Sequence, residues 1–134
     1  DLNGILYTAE NMPEDAKIIV AVNANKPMIF SEFEDKVDAI LMGFSIQNDY
    51  FLKVASGNYE PSGLLPMQMP ANMETVEAQY EDVPRDMECY VDAAGNTYDF
   101  AYGLNWSGVI SDERTETYNV EPLTVPENNP LTQE

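Results

Sequence analysis

Histidine is missing from this 134-residue chain, and cysteine occurs once, as Cys89. Without histidine, Ser-His-Asp hydrolysis, Cys-His nucleophilic catalysis and most zinc sites fall away. A lone cysteine excludes an intrachain disulfide. Any catalysis by this chain therefore has to use carboxylates. Basic residues are scarce as well: 6 Lys plus Arg stand against 24 Asp plus Glu, a formal charge of −18. A field of that sign repels phosphate backbones and anionic lipid, so nucleic acid and membrane surfaces are poor partners, whereas a neutral sugar is indifferent to it. The same acidity also serves plain solubility. No apolar run approaches the roughly 20 residues that span a bilayer, and no basic-then-apolar leader opens the chain. A start at Asp1, not at methionine, fits a processed or excised product.

What is present suits a packed α/β body. The hydrophobic fraction of 44% is enough for a core. Lys17 to Asn23 (KIIVAVN) is a continuous β-branched run, expected as a strand buried on both faces. Ser31 and Glu34 match a capping box, which predicts about two turns of helix. Val37 to Gly43 (VDAILMG) then reads as a second buried strand. Strand, short helix, strand in that order argues for a right-handed crossover in a parallel sheet. Ser45 is a candidate N-cap for the next helix, whose apolar stripe contains Ile46, Tyr50 and Val54 and which Gly57 and Asn58 stop.

Farther on, Glu60 to Gly63 reads as a turn, and Leu64 to Met69 (LLPMQM) as an extended segment between prolines. A short helix is expected over Met73 to Gln79, opened by Ala71 or Asn72. Met87 to Val91 and Thr97 to Tyr102 are expected to pair as a hairpin around Ala94-Gly95-Asn96. From Glu121 onward, three prolines and little apolar surface suggest an extended tail.

Three segments, taken in order, carry a resemblance. VDAILMGF (Val37 to Phe44), VASGNYEPSGLLPMQMP (Val54 to Pro70) and YDFAYGLNW (Tyr98 to Trp106) resemble motifs of the family 3 glycoside hydrolases, β-glucosidase-type enzymes. Leu64 stands where the family usually has a basic residue. Over about residues 17 to 108 the chain is similar to the distal part of that family's C-terminal α/β domain. The resemblance implies a parallel or mixed sheet flanked by helices over residues 1–119, with an extended tail over 120–134. Each motif also has an architectural reading, because its glycines and prolines shape turns.

The resemblance implies a retaining β-glycosidase that acts on terminal β-linked glucosides, with two carboxyl groups about 5 to 5.5 Å apart across the scissile bond. Its aspartate nucleophile sits on an N-terminal (β/α)8 barrel, of which this chain contains nothing. That barrel and a carbohydrate are the implied partners, with a homo-oligomer as a further one, and no cofactor or metal is implied. The family's acid/base glutamate falls on or near Gln47, whose amide cannot donate a proton as a general acid. The nearest carboxylate is Asp49, which serves only if the loop register differs. Its bland role is to complement the helix dipole in the first turn.

Other carboxylates have similar double readings. Glu32, Glu34 and Asp35 suit a cap and a solvated face. Glu81, Asp82, Asp86 and Glu88 form an acidic loop cluster, without EF-hand spacing for calcium, that suits a solvated loop first, and a displaced acid/base or a sugar-hydroxyl acceptor second. Tyr80, Tyr90, Tyr102 and Trp106 are possible sugar platforms, with core packing the stronger reading for Tyr102 and Trp106. Met67, Met69 and Met73 are expected as core filling. The alternative to an enzyme part is a non-catalytic carbohydrate-binding or structural module that lost its carboxylate. A flavodoxin-like ligand domain is disfavoured, since no glycine-rich phosphate loop follows KIIVAVN.

Overall fold

A computed structural model describes residues 1–80, 83 and 85–118. The tail expected from residue 120 lies outside the described residues. Helix α1, Leu2–Asn11, is capped by the Asp1 carboxylate, which accepts from the Asn3 N–H. It ends at Met12, whose extended backbone (φ −78°, ψ 148°) is what the following Pro13 requires. Leu2, Ile5 and Leu6 pack on the core. The sequence reading did not anticipate this helix.

Strands β1, Ile19–Asn23, and β2, Ala39–Gly43, pair in parallel, from Ile19 opposite Ala39 to Asn23 opposite Gly43. The α/β class and the parallel pairing both follow the sequence reading. Burial on both faces does not: Val20 is buried, but Ile19 is 44% exposed and Ala21 is open as well. Among the described residues only the Val20–Val22 face is covered. Parallel strands ordinarily have cover on both sides; here the Ile19–Ala21 face stands open among the described residues.

The connection between the strands is tighter than expected. Instead of two helical turns it is a turn followed by a 3-10 helix, Glu34–Lys36. The Phe33 and Glu34 N–H groups both donate to the Phe30 carbonyl, at 3.0 and 2.9 Å. Phe30 and Phe33 are both buried, 5.7 Å apart between ring centroids. The tight turn that these bonds close brings both rings into the same core. Glu34 does not reach back to Ser31 as a capping box requires, because its carboxylate is taken by Tyr90 and Tyr98.

Helix α2, Asn48–Ala55, starts later than Ser45: its N-cap is Gln47, and Ser45 sits at φ +61° in the loop before it. Gly57 ends it as expected, at φ +75°, donating to the Val54 carbonyl while Asn58 donates to the Lys53 carbonyl. Residues 60–63 run on without the turn expected there. Helix α3, Met73–Ala78, is capped by Asn72, whose side chain accepts from the Thr75 N–H.

The LLPMQM segment is extended and lies between two later pieces of chain. Leu65 exchanges hydrogen bonds with the Tyr102 carbonyl and the Ala101 N–H, at 2.7 and 2.8 Å. Met69 donates to the Tyr98 carbonyl and accepts from the Tyr90 N–H, both at 2.9 Å. The expected hairpin is real but short, bridged at Val91 and Thr97. The Asp92 carboxylate holds its turn by accepting from the Ala94 and Asn96 N–H groups, and Gly95 supplies φ +85°. Its second arm bends at Asp99–Tyr102, with Ala101 at φ +68°. Strands β3, Leu104–Asn105, and β4, Gly108–Val109, form a small antiparallel hairpin before α4, Glu113–Tyr118.

Met69 is fully buried with Val20, Phe30 and Phe33 at the centre of the core, whereas Met73 is exposed and does not fill it. Beside the core lies a polar knot. Arg85 donates to Asp99 at 3.0 Å, and Gln68 donates to the other Asp99 oxygen at 3.0 Å while accepting from the Met87 N–H. Burial pushes the Asp99 carboxyl up, but Arg85, the Phe100 N–H and Gln68 together outweigh it and leave its pKa lowered. A folded-state pKa below the unfolded value, about 3.9, means stability that is present above that value and lost as pH falls through the folded pKa. Acid titration of urea stability should therefore show a loss below about pH 4 that the Asp99→Asn variant lacks in part.

Candidate functional site

In open parallel sheets, ligands bind outside the carboxyl ends of the strands, where loops leave toward the helices. Here those ends are Asn23 and Gly43, side by side in the register. The loop from Phe44 to Gln47 leaves Gly43 and enters α2. It is pinned by Asn23, whose Nδ2 donates to the Ile46 carbonyl at 2.7 Å and whose Oδ1 accepts from the Ile46 N–H at 3.3 Å. Gly43 lies close beneath it: a Cβ there would collide with the Ile46 side chain and come within 2.8 Å of Phe51 Cζ, so those side chains would have to shift. Sequence reasoning missed Asn23, and no local signal in KIIVAVN points to it.

Gln47 and Asp49 come from this loop and the first turn of α2. Gln47 is exposed and its side chain makes no capping bond to the helix. Asp49 is 54% exposed and accepts from Lys53, one turn on, at 2.8 Å. That hydrogen bond and charge hold the Asp49 carboxyl below its ordinary pKa and raise the Lys53 ammonium. Lys53 also lies 4.6 Å from the centre of the Tyr50 ring. In the free chain Asp49 is thus kept ionised, a state that accepts protons and does not donate them.

From the loop, an open cleft of about 830 Å³ runs along β2. One wall is Ile40, Met42 and Phe44; the far wall is residues 59–65 with Tyr98 and Tyr102. Glu34 reaches this cleft, accepting from the Tyr90 hydroxyl at 2.9 Å and the Tyr98 hydroxyl at 3.3 Å. It is therefore more than the cap or solvated face the sequence suggested. Burial, then the Glu34 contact, pushes the Tyr90 phenol up to about 12 and raises Tyr98 too, so both remain hydrogen-bond donors. Tyr102 stacks on Tyr98, with centroids 5.1 Å apart.

The remaining candidates scatter. Glu32 is exposed and Asp35 pairs with its neighbour Lys36. Asp86 accepts from the Tyr80 N–H, Glu88 is exposed, and Glu81 and Asp82 lie outside the described residues. Tyr80 is open to solvent. Trp106 is not core: it sits at the β3–β4 turn, 63% exposed, with its main-chain N–H donating to the Glu60 carboxylate at 3.3 Å. Cys89 is buried, and desolvation lifts its thiol to about 12, which leaves no thiolate for chemistry. Among the described residues, no three His, Cys, Asp or Glu side chains gather as a metal site.

A parallel strand pair flanked by helices, with a pinned loop at its carboxyl end, defines an α/β domain. The chain belongs to the family described as "Glycosyl hydrolase family 3 C-terminal domain", whose profile matches residues 8–106. It is 32% identical over 90 residues to "Beta-glucosidase C" of Emericella nidulans, covering 63% of this chain and 15% of that protein. It is likewise 32% identical over 89 residues to "Probable beta-glucosidase C" of Aspergillus oryzae, covering 66% of this chain and 13% of the relative. Over 104 residues it is 27% identical to "Periplasmic beta-glucosidase/beta-xylosidase" of Dickeya chrysanthemi, covering 78% of this chain and 14% of that one. The chain thus spans about a seventh of the relatives' length. No solved structure matches it significantly.

Proposed function

We propose that this chain is the C-terminal α/β part of a retaining β-glycosidase that removes terminal β-linked glucose or a related sugar. The observation that carries the reading is the joining of two family segments. LLPMQM bonds along YDFAYG, through Leu65 to Tyr102 and Met69 to Tyr98, beside the cleft that the third segment lines. The nucleophile belongs to an N-terminal barrel of the parent protein, and this domain lies against it. The uncovered Ile19–Ala21 face is where we place contact with the rest of the parent. A second copy on that face is the competing occupant, which the parent's molar mass in solution distinguishes.

Asp49 is the acid/base candidate this chain offers. In a retaining mechanism that group first donates a proton to the leaving oxygen and then takes one from water. The ionised Asp49 of the free chain suits the second half; the first half requires its carboxyl to be raised well above the ordinary aspartate value, by loss of the Lys53 contact together with burial or a facing carboxylate in the parent. In the full-length parent, Asp49→Asn should lower kcat on phenyl β-glucoside roughly a hundredfold, and azide should restore turnover of activated substrates as a glycosyl azide. Unchanged turnover would return Asp49 to helix pairing.

Gln47 and the Asp49–Lys53 pair favour a second reading, a carbohydrate-contacting module without its own proton donor. An intact parent with a barrel that binds glucosides but turns over no aryl β-glycoside would establish it.

A further inference from the structure

Strands β1 and β2 make a sheet of two, so among the described residues each has one edge without a partner strand. The ladder shows which main-chain groups β1 leaves there. The Ile18 carbonyl accepts from the Ala39 N–H at 3.3 Å, and the Ala24 N–H donates to the Gly43 carbonyl at 2.8 Å. Successive residues of a strand turn their N–H and C=O to alternate sides, so the even-numbered residues of β1 face β2. Ile19, Ala21 and Asn23 direct theirs to the other edge. A row of such groups is a template for a further strand.

That edge lies beside a groove. A cavity of about 800 Å³ is lined by Val20 to Asn23, by Leu2 and Ile5 of α1 and by Met73 and Val76 of α3. No residue of β2 lines it, which puts it on the side of β1 away from β2. Its helical walls are apolar, and Met73, expected in the core, stands exposed on one of them.

Handedness says which strand belongs there. The β1–β2 connection crosses the Val20–Val22 face, because Phe30 and Phe33 join Val20 in the core. Helix α1 packs on the same core through Leu2, Ile5 and Leu6, and it is the element before β1. Crossovers between parallel strands are right-handed in nearly all cases. Two crossovers of one hand on one face of a sheet advance in one direction. A strand that feeds α1 therefore lies one step behind β1, away from β2. That is the grooved edge.

We infer that the open edge of β1 is the docking site of a parallel, apolar strand supplied by the parent's sequence ahead of α1. Its main chain bonds to Ile19, Ala21 and Asn23, and its side chains on the core side cover Leu2, Met73 and Val76. The inference deepens the functional reading by naming a partner, and it rests only on the part that makes this chain a piece of a longer polypeptide, about a seventh of the relatives' length. It is separate from the Ile19–Ala21 face, which takes side-chain packing and offers no main-chain bonds.

The test uses the full-length parent and needs no turnover. Residue-resolved hydrogen exchange should find the Ile19, Ala21 and Asn23 amides protected to within about thirtyfold of Val20 and Val22. Faster exchange marks a free edge and overturns the inference. Photo-methionine incorporated at Met73 identifies the occupant: on irradiation it should cross-link to the stretch that leads into α1. Cross-links to the barrel, or to a second copy in a parent whose molar mass is that of a dimer, overturn it. A free edge in a parent that hydrolyses aryl β-glucosides leaves the glycosidase reading intact. A protected edge in an inactive parent leaves the docked strand intact and removes that reading instead.

Discussion

Replacing Gly103 by alanine is expected to cost about 3–5 kcal/mol, a large part of the 5–15 kcal/mol typical of a folded domain. A Cβ at this position would run into the carbonyl oxygen of Gly63 and come within 3.2 Å of its carbonyl carbon and of Leu64 Cδ2. The obstacle is main chain, so no rotamer change relieves it. Nor can the two segments drift apart freely. Leu65 and Tyr102 are joined at 2.7 Å, Ala101 and Leu65 at 2.8 Å, and the Ile110 N–H holds the Gly103 carbonyl from the other side at 2.9 Å. Separation breaks bonds worth about 1 kcal/mol each net, on top of the overpacking itself. Gly63→Ala is the control: its Cβ meets nothing within 4 Å, and it should stay within about 1 kcal/mol of wild type. Urea unfolding followed by the near-ultraviolet signal of the tyrosines measures both. Trp106 is a poor reporter, being 63% exposed in the folded chain. A Gly103→Ala midpoint equal to wild type would mean that the two segments do not approach as described.

The second large effect is expected at Phe30. Its ring is 1% exposed and sits at the junction of everything the fold brings together. It contacts Phe33 at 5.7 Å and meets Tyr98 edge-on at 5.5 Å, and it clusters with Val20 and Met69. Truncation to alanine removes that apolar area and leaves a cavity that β1, the 3-10 turn and LLPMQM cannot jointly close. Phe→Ala changes in such positions cost about 3–5 kcal/mol. Phe30→Leu, which keeps most of the volume, should cost less than about 1.5 kcal/mol if the core repacks around it. The main-chain bonds from Phe33 and Glu34 to the Phe30 carbonyl are unchanged in either variant, so the difference between the two measures packing. Equal midpoints for the two variants would show that the site is looser than the buried ring implies.

The parts of the fold that were legible in the sequence are those dictated by short-range chemistry. The β-branched run before Asn23 makes a strand because branched side chains suit the pleat, and VDAILMG makes its partner as a short apolar run. Asn72 caps α3, Gly57 closes α2 and Gly95 turns the hairpin for reasons contained in a few neighbouring residues. Errors arose where a local signal competed with a distant one. Ser31 and Glu34 have the spacing of a capping box, yet Glu34 is claimed by tyrosines 56 and 64 residues away. Ser45 is a good N-cap type, but the clamp on Ile46 delays the helix to Asn48. Trp106 was expected in the core because of its motif, and a two-residue hairpin turn places it outside.

The candidate site was legible only in part, for the same reason. Gln47 and Asp49 are local to the α2 entry, so counting along the chain found them. Asn23, Glu34, Tyr90 and Tyr98 act across segments far apart in sequence, and none has a neighbouring pattern that marks it. Composition alone excluded histidine- and cysteine-based nucleophiles, because a missing residue type is missing wherever the chain folds. Three ordered motifs were enough to identify the family, since their glycines and prolines are demanded by backbone conformations that few other residues adopt. Which face of β1 stays open, which tyrosines reach Glu34, and how the loop after Gly43 is held were decided by tertiary packing. Those outcomes depend on which distant side chains arrive at the same place, and no stretch of sequence carries that information by itself.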